Sequence, residues 1–151
     1  MREILFRGQT RKNGEKVEMA TGEKVPGHWV YGGIFPGTGD YSIIYGGETE
    51  KDLERHVVYS ETVGQYTGLK DKDGKRIFEG DIIQYCERQF DGKDSTICDV
   101  VVYTEGGFAV KSYFLNNWLW DSVHGNIQLL DVEVIGNIHD NPELLKGGEG
   151  L

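Results

Sequence analysis

Glycine sets the strongest limit on what this chain can fold into. It fills 22 of 151 positions while proline fills only 3, about twice its usual abundance without the proline of a low-complexity tract. Gly32-Gly33, Gly46-Gly47, Gly106-Gly107 and Asp73-Gly74 each adjoin a stretch rich in Val, Ile, Tyr, Phe or Trp. Short extended runs punctuated by turn residues are the signature of hairpins, so the pattern predicts a mostly β fold.

The runs can be placed. Val100-Val101-Val102-Tyr103 leads through Thr104-Glu105-Gly106-Gly107 into Phe108, Val110 and Phe114, which alternate with Ala109, Lys111 and Tyr113. A period of two buries one face and wets the other. Trp29–Tyr31, Tyr41–Tyr45, Val57–Tyr59, Ile82–Cys86 and Val132–Ile138 read as further strands, rich in β-branched and aromatic residues. Helix is scarce. Thr49 with Asp52 is a weak start for a turn over 50–55, Leu115, Trp118 and Leu119 permit another turn or equally a packed loop, and Asn141-Pro142-Glu143 opens a single closing turn, because Asn caps and Pro suits the first helical position. The expected architecture is a small β-barrel-like region over 61–145, an intertwined glycine-rich N-terminal β region over 1–60 and a frayed tail over 146–151.

Sixteen Lys and Arg against 25 Asp and Glu give a net charge of −9, which disfavours non-specific nucleic-acid or anionic-lipid binding over the whole surface. No apolar run approaches the roughly 18 residues of a membrane span, and Ile4-Leu5-Phe6 is too short for a signal-peptide core. The expectation is a cytoplasmic protein. Cys86 and Cys98 lack metal or redox spacing and read as small hydrophobes.

Nucleotide loops, nucleophile elbows and zinc-protease motifs are missing from the sequence. His28, His56, His124 and His139 are scattered. Were the closing strand to run on through His139-Asp140, that pair would point to opposite faces. Glu79 and Asp81 flank Gly80, where an Asp opening a strand caps local backbone N–H groups more often than it performs acid–base work. No catalytic, cofactor or metal residue is assigned; a small hydrolase or metal enzyme is the alternative, and would need a pocket assembled by tertiary folding. The candidate recognition surface is Gln65, Tyr66 and Thr67 beside the basic cluster Lys70, Lys72, Lys75 and Arg76, which Asp71 and Asp73 reduce to a local +2. The blander account has a solvated hairpin tip and a Tyr66 in the barrel wall. Arg2, Arg7, Arg11, Lys12 and Lys16 against Glu3 and Glu15 make a second basic region.

The run from Glu61 to Ile83, ETVGQYTGLKDKDGKRIFEGDII, resembles the signature segment of the YopX family, small proteins encoded by bacteriophages and prophages. Three further blocks agree in the same order: Arg2–Gly8, Trp29–Gly33 and Val134–Leu145. Residues 34–56 and 84–131 share only the family's rhythm of strands and turns. The resemblance implies a mostly β, phage-derived accessory protein with a capacity to self-associate, and it assigns no catalytic residue, ligand or cofactor. The expected role is a non-enzymatic protein-binding or self-assembling β module acting on another copy, a phage protein or a host protein. A nucleic-acid-binding accessory factor using the basic hairpin is the alternative. Exposed sheet edges, which must be paired, covered or charged, supply the physical reason to expect a homo-oligomer.

Overall fold

In a computed structural model of the chain, Gly32 of one strand lies directly opposite Gly46 of the next. The structure describes residues 3–11, 26–37, 39–47, 54–88, 91–104, 107–110, 117–118 and 132–145. They fall into two units, Met1–Tyr66 and Thr67–Leu151. Strands dominate both, as the alternating runs predict.

The first unit holds β1 (Phe6–Arg11), β2 (Pro26–Phe35), β3 (Tyr41–Gly47) and β4 (Glu54–Tyr59). All neighbours are antiparallel. β1 pairs with β2 through Gly8↔Val30, β2 with β3 through Ile34↔Ile44, β3 with β4 through Ser42↔Val58, and β4 returns to β1 through Thr10↔Val58. This circuit is a closed four-strand barrel built from the glycine-rich N-terminal β region. A single 3-10 turn over Ser60–Thr62 follows, then β5 (Gly64–Lys70), whose first residues pair with β1 as Phe6↔Gln65 and Arg7↔Gly64.

A four-strand circuit has little room inside, and Val30, Ile44 and Val58 form its core, each with no exposed surface, with Phe6 and Val63 packed against them. Burying such a side chain contributes about 1.5–3 kcal/mol. Glycine makes the closure possible. A Cβ on Gly8 would come within 2.9 Å of Val58 Cγ2 and 3.2 Å of Ile44 Cδ1. A Cβ on Gly32 would stand 1.9 Å from the Tyr45 carbonyl oxygen, and one on Gly46 1.9 Å from that of Tyr31. The expectation that Gly32-Gly33 punctuates a hairpin is therefore corrected: the pair lies inside β2, and at Gly32, opposite Gly46 near the end of β3, missing side chains let two backbones approach.

The turn after β4 is stitched by side chains. Thr62 donates its hydroxyl to the Tyr59 carbonyl at 2.7 Å and accepts the Gln9 N–H at 2.8 Å. Gln9 borders the shift of register in the β1–β2 ladder, so Thr62 satisfies a buried donor at an irregularity.

The second unit contains the end of β5, β6 (Arg76–Phe78), β7 (Asp81–Arg88), β8 (Asp94–Thr104), β9 (Gly107–Val110), β10 (Asn117–Trp118) and β11 (Glu133–Asn137). Five of these form a sheet in the order β10-β9-β8-β7-β11. Its core is Ile77, Ile83, Tyr85, Val101, Val110, Val132 and Val134, with Leu69 and Ile97 against it. A bulge between Val134 and Gly136 bends β11, and the strand ends at Asn137, so His139 and Asp140 occupy a turn instead of continuing it.

Other local expectations shift in informative ways. β8 begins at Asp94, six residues before the apolar run at Val100, because pairing with β7 as far as Arg88↔Asp94 continues the hairpin through polar residues. Arg55, read as the end of a helical turn, lies in β4 opposite Tyr45. Trp118, where the sequence permits a turn of helix or equally a packed loop, is in β10 opposite Ala109; ladder pairing overrides a weak helical spacing. Residues 143–145 are helical as expected, with the Leu144 N–H donating to the Asn141 carbonyl at 3.1 Å. The proposed cap at Thr49–Asp52, the continuation of the hairpin through Lys111–Phe114, Leu115, Leu119, His124, the basic residues Arg2, Lys12 and Lys16, and the tail over 146–151 lie outside the described residues.

Candidate functional site

The basic hairpin expected at Lys70–Arg76 forms between β5 and β6. The Gly74 N–H donates to the Asp71 carbonyl at 3.0 Å, the Asp71 N–H donates to Lys75 at 2.8 Å, and Gly74 carries φ +82°. Asp71 itself is buried and organises the turn. Its Oδ1 accepts the N–H groups of Asp73 and Lys75, each at 2.9 Å, and its Oδ2 accepts the N–H of Val134 at 3.0 Å. Lys72 adds a backbone donation to the Val132 carbonyl at 2.9 Å. Burial alone would raise the Asp71 carboxyl, but the backbone donors from Val134, Lys75 and Asp73, with the Lys75 ammonium, overcome it and hold the group below the ordinary carboxylate value. The carboxylate is a staple between hairpin and closing strand.

The residues singled out for recognition divide into two sets. Lys70, Lys72 and Lys75 are exposed, and Gln65 and Arg76 are half-buried. Lys72 meets Glu133 at 3.4 Å. Tyr66 is only 3% exposed and Thr67 6%; Thr67 donates its hydroxyl to the Ile77 carbonyl at 2.8 Å and accepts the Leu69 N–H at 3.1 Å. Both side chains are buried, although as neighbours on one strand they point to opposite faces, so Gln65 to Thr67 does not form a contiguous exposed edge.

Other polar candidates are committed to backbone. Asp81 is buried, and its Oδ2 accepts the Phe78 N–H at 2.7 Å across the turn at Gly80, whose φ is +90°. Asn137 Oδ1 accepts the N–H groups of His139 and Asp140 at 3.0 and 2.9 Å, while its amide donates to Asp140 Oδ2 at 3.1 Å. Thr10 Oγ1 lies 3.2 Å from His28 Nδ1 and accepts the His28 N–H at 3.2 Å. The His28 and His56 rings meet edge to face at 6.3 Å between centroids. Among the described residues no group of three His, Cys, Asp or Glu side chains is placed to hold a metal ion. Cys86 and Cys98 are unbridged thiols.

The outer face of β2, β3 and β4 presents a different surface. Two rows cross the strands there. Phe35, Ile43 and Val57 are directly paired in one, and Gly33, Tyr45 and Arg55 in the next. Phe35 is 63% exposed, Tyr45 51% and Val57 37%. Exposed apolar residues scattered singly are ordinary, whereas a contiguous set marks an interaction site.

Against known protein families, the chain matches YopX, described as YopX protein, over residues 35–146. The chain belongs to the YopX family. Among solved structures, this YopX-family chain is similar to protein EF1440 from Enterococcus faecalis, at 24% identity and a TM-score of 0.47, covering 96% of this chain and 99% of that one. No curated protein matches it. Among the described residues no helix is long and apolar enough to cross a membrane.

Within the YopX chain, the apolar face is the feature that sequence reasoning missed. Phe35, Tyr45 and Val57 sit in runs legible as strands, but their adjacency depends on a register set by β3 lying between two partners. The available signal was Ile43-Ile44 beside Tyr45, a run with apolar residues on both faces of one strand.

Proposed function

We propose that this YopX-family protein is a non-enzymatic protein-binding or self-assembling β module, a phage- or prophage-derived accessory protein acting in the bacterial cytoplasm. The observation that carries the reading is the apolar face of β2-β3-β4, with Phe35 63% and Tyr45 51% exposed. Aromatic residues with an arginine and little other charge are what the centres of protein interfaces are made of. The polar groups of the signature segment support it from the other side: Asp71, Thr67 and Asp81 spend their hydrogen-bonding capacity on backbone. Closure of the barrel changes the physical argument for assembly. β1 to β4 pair in a circuit, so the incentive to associate there comes from a face and not from an unpaired edge.

Affinity capture from bacterial lysate, compared between the wild type and a Phe35→Asp, Tyr45→Asp variant, together with light scattering of purified protein, tests the reading. A protein partner or self-association present in the wild type and lost in the variant is expected. Absence of both at micromolar concentration overturns it.

The exposed Lys70 and Lys75 keep a second reading in view, that of a nucleic-acid accessory factor. It requires oligonucleotide binding that weakens with salt.

A further inference from the structure

We propose that Cys86 and Cys98 together hold one soft monovalent metal ion, copper(I), between two thiolates on the outer face of the β7-β8 ladder. The site is separate from the β2-β3-β4 face and does not depend on the protein-binding reading.

Register makes the pair. Twelve positions of sequence separate the cysteines, but β7 and β8 are antiparallel neighbours in which Cys86 lies opposite Thr96 and Gln84 opposite Cys98. Residues directly opposite share a face, and so do residues two apart on one strand. The two cysteines are therefore diagonal neighbours on a single face. The other face carries Ile83, Tyr85 and Ile97, which belong to the core or pack against it. Cys86 is exposed and Cys98 half-buried. A cysteine that serves as a small hydrophobe is buried as a rule, so packing does not account for this pair.

Distance chooses between a disulfide and a metal. Diagonal positions on adjacent strands stand roughly 7–8 Å apart, with Cβ atoms somewhat closer. A disulfide needs Cα atoms within about 6.8 Å and Cβ atoms within about 4.5 Å. The ladder holds the two positions too far apart for that bond, and both thiols are free. A metal adds a bond on each side. At about 2.3 Å per metal–sulfur bond, the zinc value, two sulfurs on one ion stand up to about 4.6 Å apart. A bridging ion spans a diagonal that a sulfur–sulfur bond does not.

Ligand number chooses the ion. Among the described residues no third His, Cys, Asp or Glu joins the two thiols, and their cross-strand partners Gln84 and Thr96 carry no charge. Zinc in a protein site takes three or four protein ligands. Copper(I) is selected by soft sulfur, and two thiolates in line satisfy it. The net charge of −9 draws cations towards the chain. On binding, each thiol gives its proton to solvent and each sulfur donates an electron pair to the metal. The ion stays copper(I) throughout, so the step needs no oxidant or reductant.

Anaerobic titration of the reduced chain with copper(I), in competition with a chromogenic copper(I) chelator, tests the site. One ion per chain is expected, with X-ray absorption at the copper edge showing sulfur neighbours alone. Cys86→Ser and Cys98→Ser, with far-UV circular dichroism unchanged, should each weaken binding about 100-fold or more, the advantage of two tethered ligands over one. Should a serine variant misfold, capping the thiols of the folded wild type with iodoacetamide is expected to abolish uptake in its place. Failure of the wild type to retain copper(I) against the chelator overturns the site, as does uptake that survives capping or equal affinity in a folded serine variant. Half an ion per chain, which joins thiols of two chains, also overturns it, and so does zinc held as tightly as copper(I).

Discussion

The Asp71 carboxylate accepts the backbone N–H of Val134 at 3.0 Å across 63 positions of sequence. A side chain in a tight turn thereby fixes where the closing strand begins, and the same carboxylate holds the turn through Asp73 and Lys75. Removing it strands three backbone donors, two of them at the turn and one buried.

Asp71→Ala is expected to lower unfolding free energy by about 3 kcal/mol, since hydrogen bonds to charged groups are worth roughly 1.5–3 kcal/mol and unmet buried donors add a penalty. Asp71→Asn, which keeps one acceptor oxygen, should cost about half as much. Urea denaturation of the three proteins measures both values. A loss under about 0.5 kcal/mol for the alanine variant would show that the staple does not hold the fold.

Acid should erase the difference between wild type and Asp71→Asn. The native carboxyl lies below its ordinary value, so its stabilising effect is complete above the unfolded value of about 3.9 and disappears as pH falls through the lower native one. The gap in unfolding free energy is expected to be constant between pH 7 and 5 and to close below about pH 4. A gap that widens on acidification reverses the assigned sign.

Lys72 provides a contrast one residue away. Its ion pair with Glu133 is 3.4 Å long, but both side chains are more than two-fifths exposed. Solvent-screened pairs of this kind contribute about 0–1 kcal/mol. Lys72→Ala should therefore change the denaturation midpoint far less than Asp71→Ala, and a comparable loss would mean that charge, not the buried carboxylate, holds the hairpin.

Neighbouring glycines should behave in opposite ways. Gly32→Ala drives a Cβ to 1.9 Å from the Tyr45 carbonyl oxygen, whereas Gly33→Ala places one in open space. Overpacking against rigid backbone costs about 3 kcal/mol, and an exposed substitution stays within about 0.5 kcal/mol. Hydrogen exchange of β2 and β3 amides should show lost protection for Gly32→Ala alone. Equal protection in the two variants would refute the close approach of β2 and β3 at Gly32.

What the sequence discloses about this fold is whatever neighbouring residues decide among themselves. Asp73-Gly74 declares its turn, and Val100–Tyr103 and Ile82–Cys86 declare their strands, because turn chemistry and period-two alternation are local. The burial of both Tyr66 and Thr67 is hidden from that alternation, which sends neighbours on a strand to opposite faces and so predicts one of the two exposed. Gly32 and Gly46 look like turn residues because only long-range register reveals that they face each other. The partnership of Asp71 with Val134 is hidden for the same reason, and so is the outer face, which three strands build from two residues apiece.

Because the acids of the signature segment clasp amide hydrogens, a shared segment of this kind reports how a chain is fastened, not whom it meets. Two chains can carry the same Lys70–Asp81 stretch and differ in every contact they make, since the outer surface of β2, β3 and β4 is free to vary without loosening the clasp. Sorting such proteins by partner calls for comparing positions 33, 35, 45, 55 and 57, which stand exposed on that surface.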